Sequence, residues 1–225
     1  MTSRVVALVP ARNEGHRIGA TVKALRQIPA IDQIVVVDDA SKDGTASRAL
    51  AAGAVVLQTP RRAGKGRALE GALRRVPRAD VWLFADADLG ATASALGPLL
   101  DEVLAGRADM AIATLPPQAG GGFGLVKRAA ARLIRALSGY PAAEPLSGQR
   151  AVSDLLLSAC RPLARGFGVE TALTIDAIRA GFRIVELPVD LAHRPTGRGL
   201  RGFAHRGRQG VDIVLAALPR AAGVR

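Results

Sequence analysis

Short runs of apolar, mostly β-branched residues recur through the first half of this chain. Each is followed by a stretch with helical spacing, and that alternation narrows the possible folds more than any other feature. Val5–Val9, Ile34–Val37, Val55–Leu57 and Val81–Ala85 are too short for stable helices and are apolar at successive positions. A strand with apolar side chains on both faces must be covered on both, as in a parallel sheet between layers of helix. The intervening segments supply the helices: His16 to Gln27, Asp43 to Ala52, and Lys65 to Val76, the last with Ala68, Leu69, Ala72, Leu73 and Val76 on one side. Ser41 or Asp43 stands where it would cap the second of these. A helix near Ala93–Ala105 and a strand near Asp109–Ala113 continue the pattern. The expectation is an α/β fold with a mostly parallel central sheet, helices on both faces, and ligands beyond the carboxyl ends of the strands.

The second half reads differently. Leu125–Leu137 is a basic amphipathic helix, Val169–Ala180 is a helix stopped by Gly181, and Arg183–Asp190 is a strand. An Arg- and Gly-rich segment, 194–210, precedes a short apolar stretch, Val211–Leu218. The 225 residues suit one domain. It divides into residues 1–115, residues 116–193 and a basic tail, 194–225. The net charge of +12 is uneven, +3 over residues 1–115 and +9 over the rest. Such an excess points to an anionic partner. Seven aromatic residues are few for the stacking platforms of single-stranded nucleic-acid binding, which argues against nucleic acid. The lone cysteine, Cys160, excludes a disulfide framework and a cysteine zinc site. The first apolar run is too short for a signal peptide, so a cytoplasmic location is expected. The basic helix leaves open a peripheral contact at the inner membrane surface.

Against this basic background, acidic residues gather where ligands should bind. Glu14 follows the first strand in Pro10-Ala11-Arg12-Asn13-Glu14, Asp38-Asp39 follows the second, and Asp86-Ala87-Asp88 follows the fourth. Like charges converging on one sheet edge call for a cation or for hydroxyl donors. Two carboxylates on one turn can reach a single hard cation, and Mg²⁺ or Mn²⁺ would fill its remaining shell with water and substrate phosphate oxygens. Gly64-Lys65-Gly66 opens a helix, with glycines for close backbone approach and Lys65 as a candidate phosphate contact.

In order and spacing these segments resemble the family-2 glycosyltransferases of GT-A (Rossmann-like) fold. The resemblance covers residues 4–115 and implies a nucleoside-diphosphate sugar as donor. Pro10, Ala11, Asn13, Glu14, Asp38, Asp39, Lys65, Asp86 and Ala87 would bind the nucleotide-sugar, with Asp86 and Asp88 holding the metal and Asp88 acting in catalysis. Pro145-Leu146-Ser147-Gly148-Gln149-Arg150 is similar to the acceptor-side segment of polyprenyl-phosphate glycosyltransferases, which assigns Ser147, Gln149 and Arg150 to the acceptor. The glycines at 120–122, Gly166-Phe167-Gly168-Val169-Glu170 and His193-Arg194 resemble glucosyl-3-phosphoglycerate synthases. That likeness implies acceptor contacts at Gly121 and Gly122, a sugar-orienting or catalytic Glu170, and His193 as a third metal ligand. Those synthases follow their glycines with an arginine and a threonine that grip the acceptor, where this chain has Phe123-Gly124-Leu125. The acceptor therefore stays open between a phosphorylated small molecule and a polyprenyl phosphate, and a homodimer stays open too.

Arg198 and Arg201 are expected on a flap that closes over the diphosphate, because arginine binds phosphate bidentately. Two other readings compete. A nucleotidyltransferase acting on a sugar phosphate would place a glycine-rich loop directly after the first strand, where this chain has Arg12-Asn13-Glu14. A non-enzymatic anion- or membrane-binding module follows from the charge alone.

Overall fold

The structure, a computed structural model, describes residues 3–114, 123–191, 212 and 215–221. Gly121, Gly122, His193, Arg198 and Arg201 lie outside these residues. Seven strands form one sheet: β1 (Val5–Ala11), β2 (Gln33–Asp38), β3 (Val55–Gln58), β4 (Val81–Phe84), β5 (Met110–Thr114), β6 (Arg150–Ser153) and β7 (Ile184–Pro188). Their order is β3-β2-β1-β4-β6-β5-β7. Six run parallel, and β6 is inserted antiparallel between β4 and β5.

The period-2 pattern of β1 sorts its side chains into two cores. Val5, Ala7, Val9 and Ala11 face one. There α1 (Ile18–Leu25) contributes Ile18, Val22 and Leu25, α2 (Thr45–Ala51) contributes Ala49, and α4 (Gly97–Leu104) contributes Leu99, Leu100 and Val103. Val6 and Leu8 face the other. There α3 (Lys65–Leu73) lays down Ala68, Leu69, Ala72 and Leu73, joined by α6 (Asp154–Ala159) and α7 (Val169–Arg179). Residues buried on both faces explain why these strands read as unbroken apolar runs. Pro10 brings no backbone N–H, but it falls after the last β1–β4 pair, Leu8 with Phe84, so that ladder has already ended.

Three expectations need correction. The helix expected over Ala93–Ala105 is split into a 3₁₀ turn, Gly90–Leu96, and α4, because Pro98 fits the first turn of a helix but not its interior. The residue that caps α2 is Gly44, at φ +76°, and not Ser41 or Asp43. β6 and α6 had no counterpart in the strand and helix signals: β6 has four residues and begins with an arginine. Ser153 then caps α6 by accepting from the Leu156 N–H at 3.3 Å, a contact worth about 1 kcal/mol.

The amphipathic helix α5 (Phe123–Ser138) packs beside α7, burying Ala130 and Ile134 and leaving Arg128, Arg132 and Arg135 in solvent. A last helical segment, 215–221, is clamped onto α7. Arg220, only 5% exposed, pairs with both oxygens of Asp176, and Arg179 donates to the carbonyls of Leu137 and Arg220 at 2.8 Å each. Removing one partner of a buried pair strands a charge. Arg220→Met is thus expected to lower the unfolding free energy by about 3–5 kcal/mol. Arg220→Met with Asp176→Leu should recover most of the loss, as read by urea denaturation.

Candidate active site

The first two strand ends are built as one clasp. The loop after β1 and the loop after β2 are laced together. The Asn13 N–H donates to Ser41 Oγ at 2.9 Å, the Lys42 N–H to Asn13 Oδ1 at 2.9 Å, the Glu14 N–H to Thr45 Oγ1 at 2.9 Å, and the Gly15 N–H to Asp43 Oδ2 at 3.0 Å. Asp43 also accepts from the Thr45 hydroxyl, which with these bonds holds its carboxyl below the usual range. A Cβ on Gly15 would come within 2.6 Å of the Asp43 carbonyl, so this contact demands glycine. Asn13 and Ala40 both stand at φ +56°. That region suits asparagine, whereas an alanine held there stores strain of about 1–3 kcal/mol beside the cleft.

Asp38 and Asp39 face inward, at 1% and 6% exposure. Asp38 accepts from the Ser41 N–H at 3.1 Å and from Gln58 Nε2 at 3.2 Å. Asp39 accepts from Thr59 Oγ1 at 3.1 Å, the Ala63 N–H at 2.6 Å and the Gly64 N–H at 2.9 Å. Both carboxylates, expected at the nucleotide, are hydrogen-bonded to the loops around them, and Asp39 fixes the loop that delivers Lys65.

The centre lies at the end of β4. Lys65, the first residue of α3, places its ammonium 2.7 Å from Asp86 Oδ1 and 2.7 Å from Glu170 Oε1. Gln149 Nε2 donates to the other Asp86 oxygen at 2.6 Å, and the Ser147 hydroxyl donates to Gln149 Oε1 at 3.1 Å. Burial pulls the lysine pKa down, but the two carboxylates outweigh it and the net shift is upward. Gly148 leaves room for this cluster, since a Cβ there would lie 2.5 Å from Lys65 Nζ and 2.8 Å from Asp86 Oδ1. From the other side α1 steadies the acidic turn. Thr21 Oγ1 donates to the Ala87 carbonyl at 2.8 Å and Arg17 donates to the Asp88 carbonyl at 3.1 Å. Among the described residues the Asp88 carboxylate has no side-chain partner.

Ser147, Gln149 and Arg150, the expected acceptor contacts, are 4%, 0% and 1% exposed and bond within the fold. Arg150 donates to the Ser147 carbonyl at 2.7 Å, the Glu170 carbonyl at 3.0 Å and Thr174 Oγ1 at 2.9 Å. It thereby joins β6 to the first turn of α7. Burial lowers its pKa to about 10, against the pull of Glu170, so it remains charged at neutral pH. Glu170 does join the centre. The turn before it is shaped by glycine, because a Cβ on Gly168 would strike Ala216 at 2.4 Å. Sequence reasoning missed Thr21, Arg17 and Gly148. Gly148 sat inside a quoted motif, but nothing local showed that its missing side chain makes the space.

Among the described residues no three His, Cys, Asp or Glu side chains are grouped closely enough to hold a metal ion. Asp88 and Asp86 still suit Mg²⁺ or Mn²⁺, which bind hard oxygens and take part of their shell from water and phosphate. No helix of the described residues is long and apolar enough to cross a membrane.

A parallel sheet with one antiparallel insertion, an acidic turn after its central strand and a laced double loop beside it define a GT-A glycosyltransferase fold. The chain belongs to glycosyl transferase family 2, whose family model matches residues 6–144. It is 32% identical over 197 residues to the glucosyl-3-phosphoglycerate synthase of Mycolicibacterium paratuberculosis, covering 76% of this chain and 59% of that protein. It is 30% identical over 238 residues to the synthase of Mycolicibacterium smegmatis, covering 94% and 77%. The chain thus spans about three fifths and about three quarters of these relatives. The Mycobacterium tuberculosis synthase, solved with Mn²⁺, uridine diphosphate and glucosyl-3-phosphoglycerate, superposes with a TM-score of 0.83 at 28% identity, covering 97% of this chain and 80% of that one.

Gly148→Ala should displace Lys65 from Asp86 while leaving the fold in place. Far-UV circular dichroism is expected to be unchanged, and any thermal stabilisation by uridine diphosphate with Mn²⁺ to be lost.

Proposed function

We propose that this chain is a metal-dependent glycosyltransferase that moves a sugar from a nucleoside-diphosphate donor to a phosphorylated small-molecule acceptor. One observation carries the reading: an ammonium held between Asp86 and Glu170 at the carboxyl end of β4, next to an Asp88 whose carboxylate has no side-chain partner among the described residues. Residues 1–115 form the donor half, residues 116–193 the acceptor side, and 194–225 the basic tail. Uridine diphosphate in the related synthase supports a uridine nucleotide here.

The laced loops 10–15 and 38–45 frame the nucleoside, with their polar backbone groups fixed before the donor arrives, so little ordering is left to oppose binding. Asp88 and Asp86 would hold the metal, with His193 as the expected third ligand. When bound, the ion supplies Lewis-acid stabilisation of the leaving diphosphate. Lys65 offers a second positive charge to the phosphate oxygens, and Glu170, at the N-terminus of α7, orients the sugar hydroxyls. Arg198 and Arg201 would close over the diphosphate and exclude water that would otherwise hydrolyse the donor.

A second acceptor is favoured by the solvent-facing Arg128, Arg132 and Arg135 of α5, beside Leu125 at 74% exposure. Such a face suits an anionic membrane and hence a polyprenyl phosphate. Transfer assays with UDP-glucose, Mn²⁺ and either 3-phosphoglycerate or a polyprenyl phosphate separate the two, and product with the first alone is expected. Chelation by EDTA should stop turnover, and Mn²⁺ should restore it. Asp88→Asn should lower the rate at least about a hundredfold, a loss typical for removing one transition-state charge stabiliser. Undiminished transfer by Asp88→Asn would remove the acidic turn from the mechanism.

A further inference from the structure

The edge of the sheet opposite the acidic turn carries a second concave site. A cavity of about 320 Å³ opens where β4 begins and β6 ends, since Val81 pairs with Ser153 there and Asp154 follows at once. That volume is at the lower end of the range of small-molecule pockets. Leu73, Trp82 and Leu157, all buried, line its floor, with Val76 beside them. Arg78 and Arg161 line its walls. Asp154 joins floor to wall. It accepts from the Trp82 indole Nε1 at 2.9 Å and from Arg78 Nε at 2.8 Å. The indole is thereby fixed in one orientation, and the carboxylate's charge is offset by the guanidinium.

Arg78 gives only its Nε to this pair. Its two terminal nitrogens have no hydrogen-bond partner among the described residues, and the side chain is 83% exposed. Arg161 pairs with Glu70 at 2.8 Å, and Glu70 also accepts from Arg74 at 3.2 Å. Around the cavity three guanidiniums, Arg74, Arg78 and Arg161, stand against two carboxylates, Glu70 and Asp154, a net charge of +1.

We propose that this cavity is a second ligand site, for a small amphipathic anion. Its apolar body would lie over Trp82 and the two leucines, and its one carboxylate or phosphate would be received by the terminal nitrogens of Arg78. The arginine fork suits either head. An ion pair at so exposed a guanidinium is worth little by itself, so the head needs the body and the body needs the head. The length of β4 separates this site from the acidic turn, and the proposal does not depend on the donor-site reading.

Trp82 is the single tryptophan of the chain, so its emission reports on this cavity directly. Phenyl phosphate and phenylacetate, titrated into the full chain, are expected to change that emission to saturation. Saturation by either supports the proposal, and the tighter of the two identifies the head. Inorganic phosphate and benzyl alcohol, the head and the body alone, should bind at least about tenfold more weakly. Arg78→Gln should weaken the tighter anion at least about tenfold, the loss expected for one charged hydrogen bond, and leave the benzyl alcohol titration unchanged. Uridine diphosphate with Mn²⁺ should not displace the anion. No emission change with either anion overturns the proposal. So does displacement by uridine diphosphate, which puts the anion in the donor site, and so does a folded Arg78→Gln protein that binds as tightly as wild type. The wild-type titrations and the displacement decide the matter even if that variant does not fold.

Discussion

Carboxylates brought to one edge of a sheet repel one another, and the arrangement of this protein follows from how that repulsion is contained. Asp86 and Glu170 come from elements far apart in the chain, and the Lys65 ammonium stands between them. Asp39 holds the Ala63 and Gly64 N–H groups and so fixes where α3, and therefore Lys65, begins. Gly148 leaves the ammonium its space, and Gln149 occupies the far side of Asp86. If any of these were removed, the negative charges would have to separate, take up protons or find another cation.

The rest of the molecule keeps these groups in place. Thr21 and Arg17 pin the backbone of the acidic turn from α1, while Thr45 and Asp43 lock the double loop beside it. On the opposite side Arg150 ties β6 to the first turn of α7, and the Arg220–Asp176 pair seats the final helical segment over the glycine turn that leads into Glu170. Most of these contacts are hydrogen bonds to backbone. They fix positions more than they add charge.

The fold was legible where burial on both faces wrote itself into the sequence as apolar runs, as in β1, β2 and β4. β6 was not, because a four-residue strand starting with Arg150 depends on its neighbours β4 and β5 for its place. The acidic strand ends were legible, and the structure brings Asp86, Lys65 and Glu170 together. What could not be read was which polar groups face inward. Ser147, Gln149 and Arg150 look like surface ligands in sequence, yet each bonds to a partner inside the fold, although Arg150 Nη2 has none. For Gln149 that partner is Asp86, 63 positions away.

The reversed direction of β6 has a further consequence for anyone who would re-engineer this enzyme family. Because β6 runs against its neighbours, its first residue, Arg150, lies opposite Phe84, the last residue of β4. The loop entering β6 therefore sits on the same edge as the loops leaving the parallel strands. Residues 147–150 bond across to Asp86 and to the Glu170 backbone, so they cannot be exchanged as an independent cassette. A loop grafted here must carry a glycine at 148 and an amide at 149, or it disturbs the Lys65–Asp86 pair across the cleft.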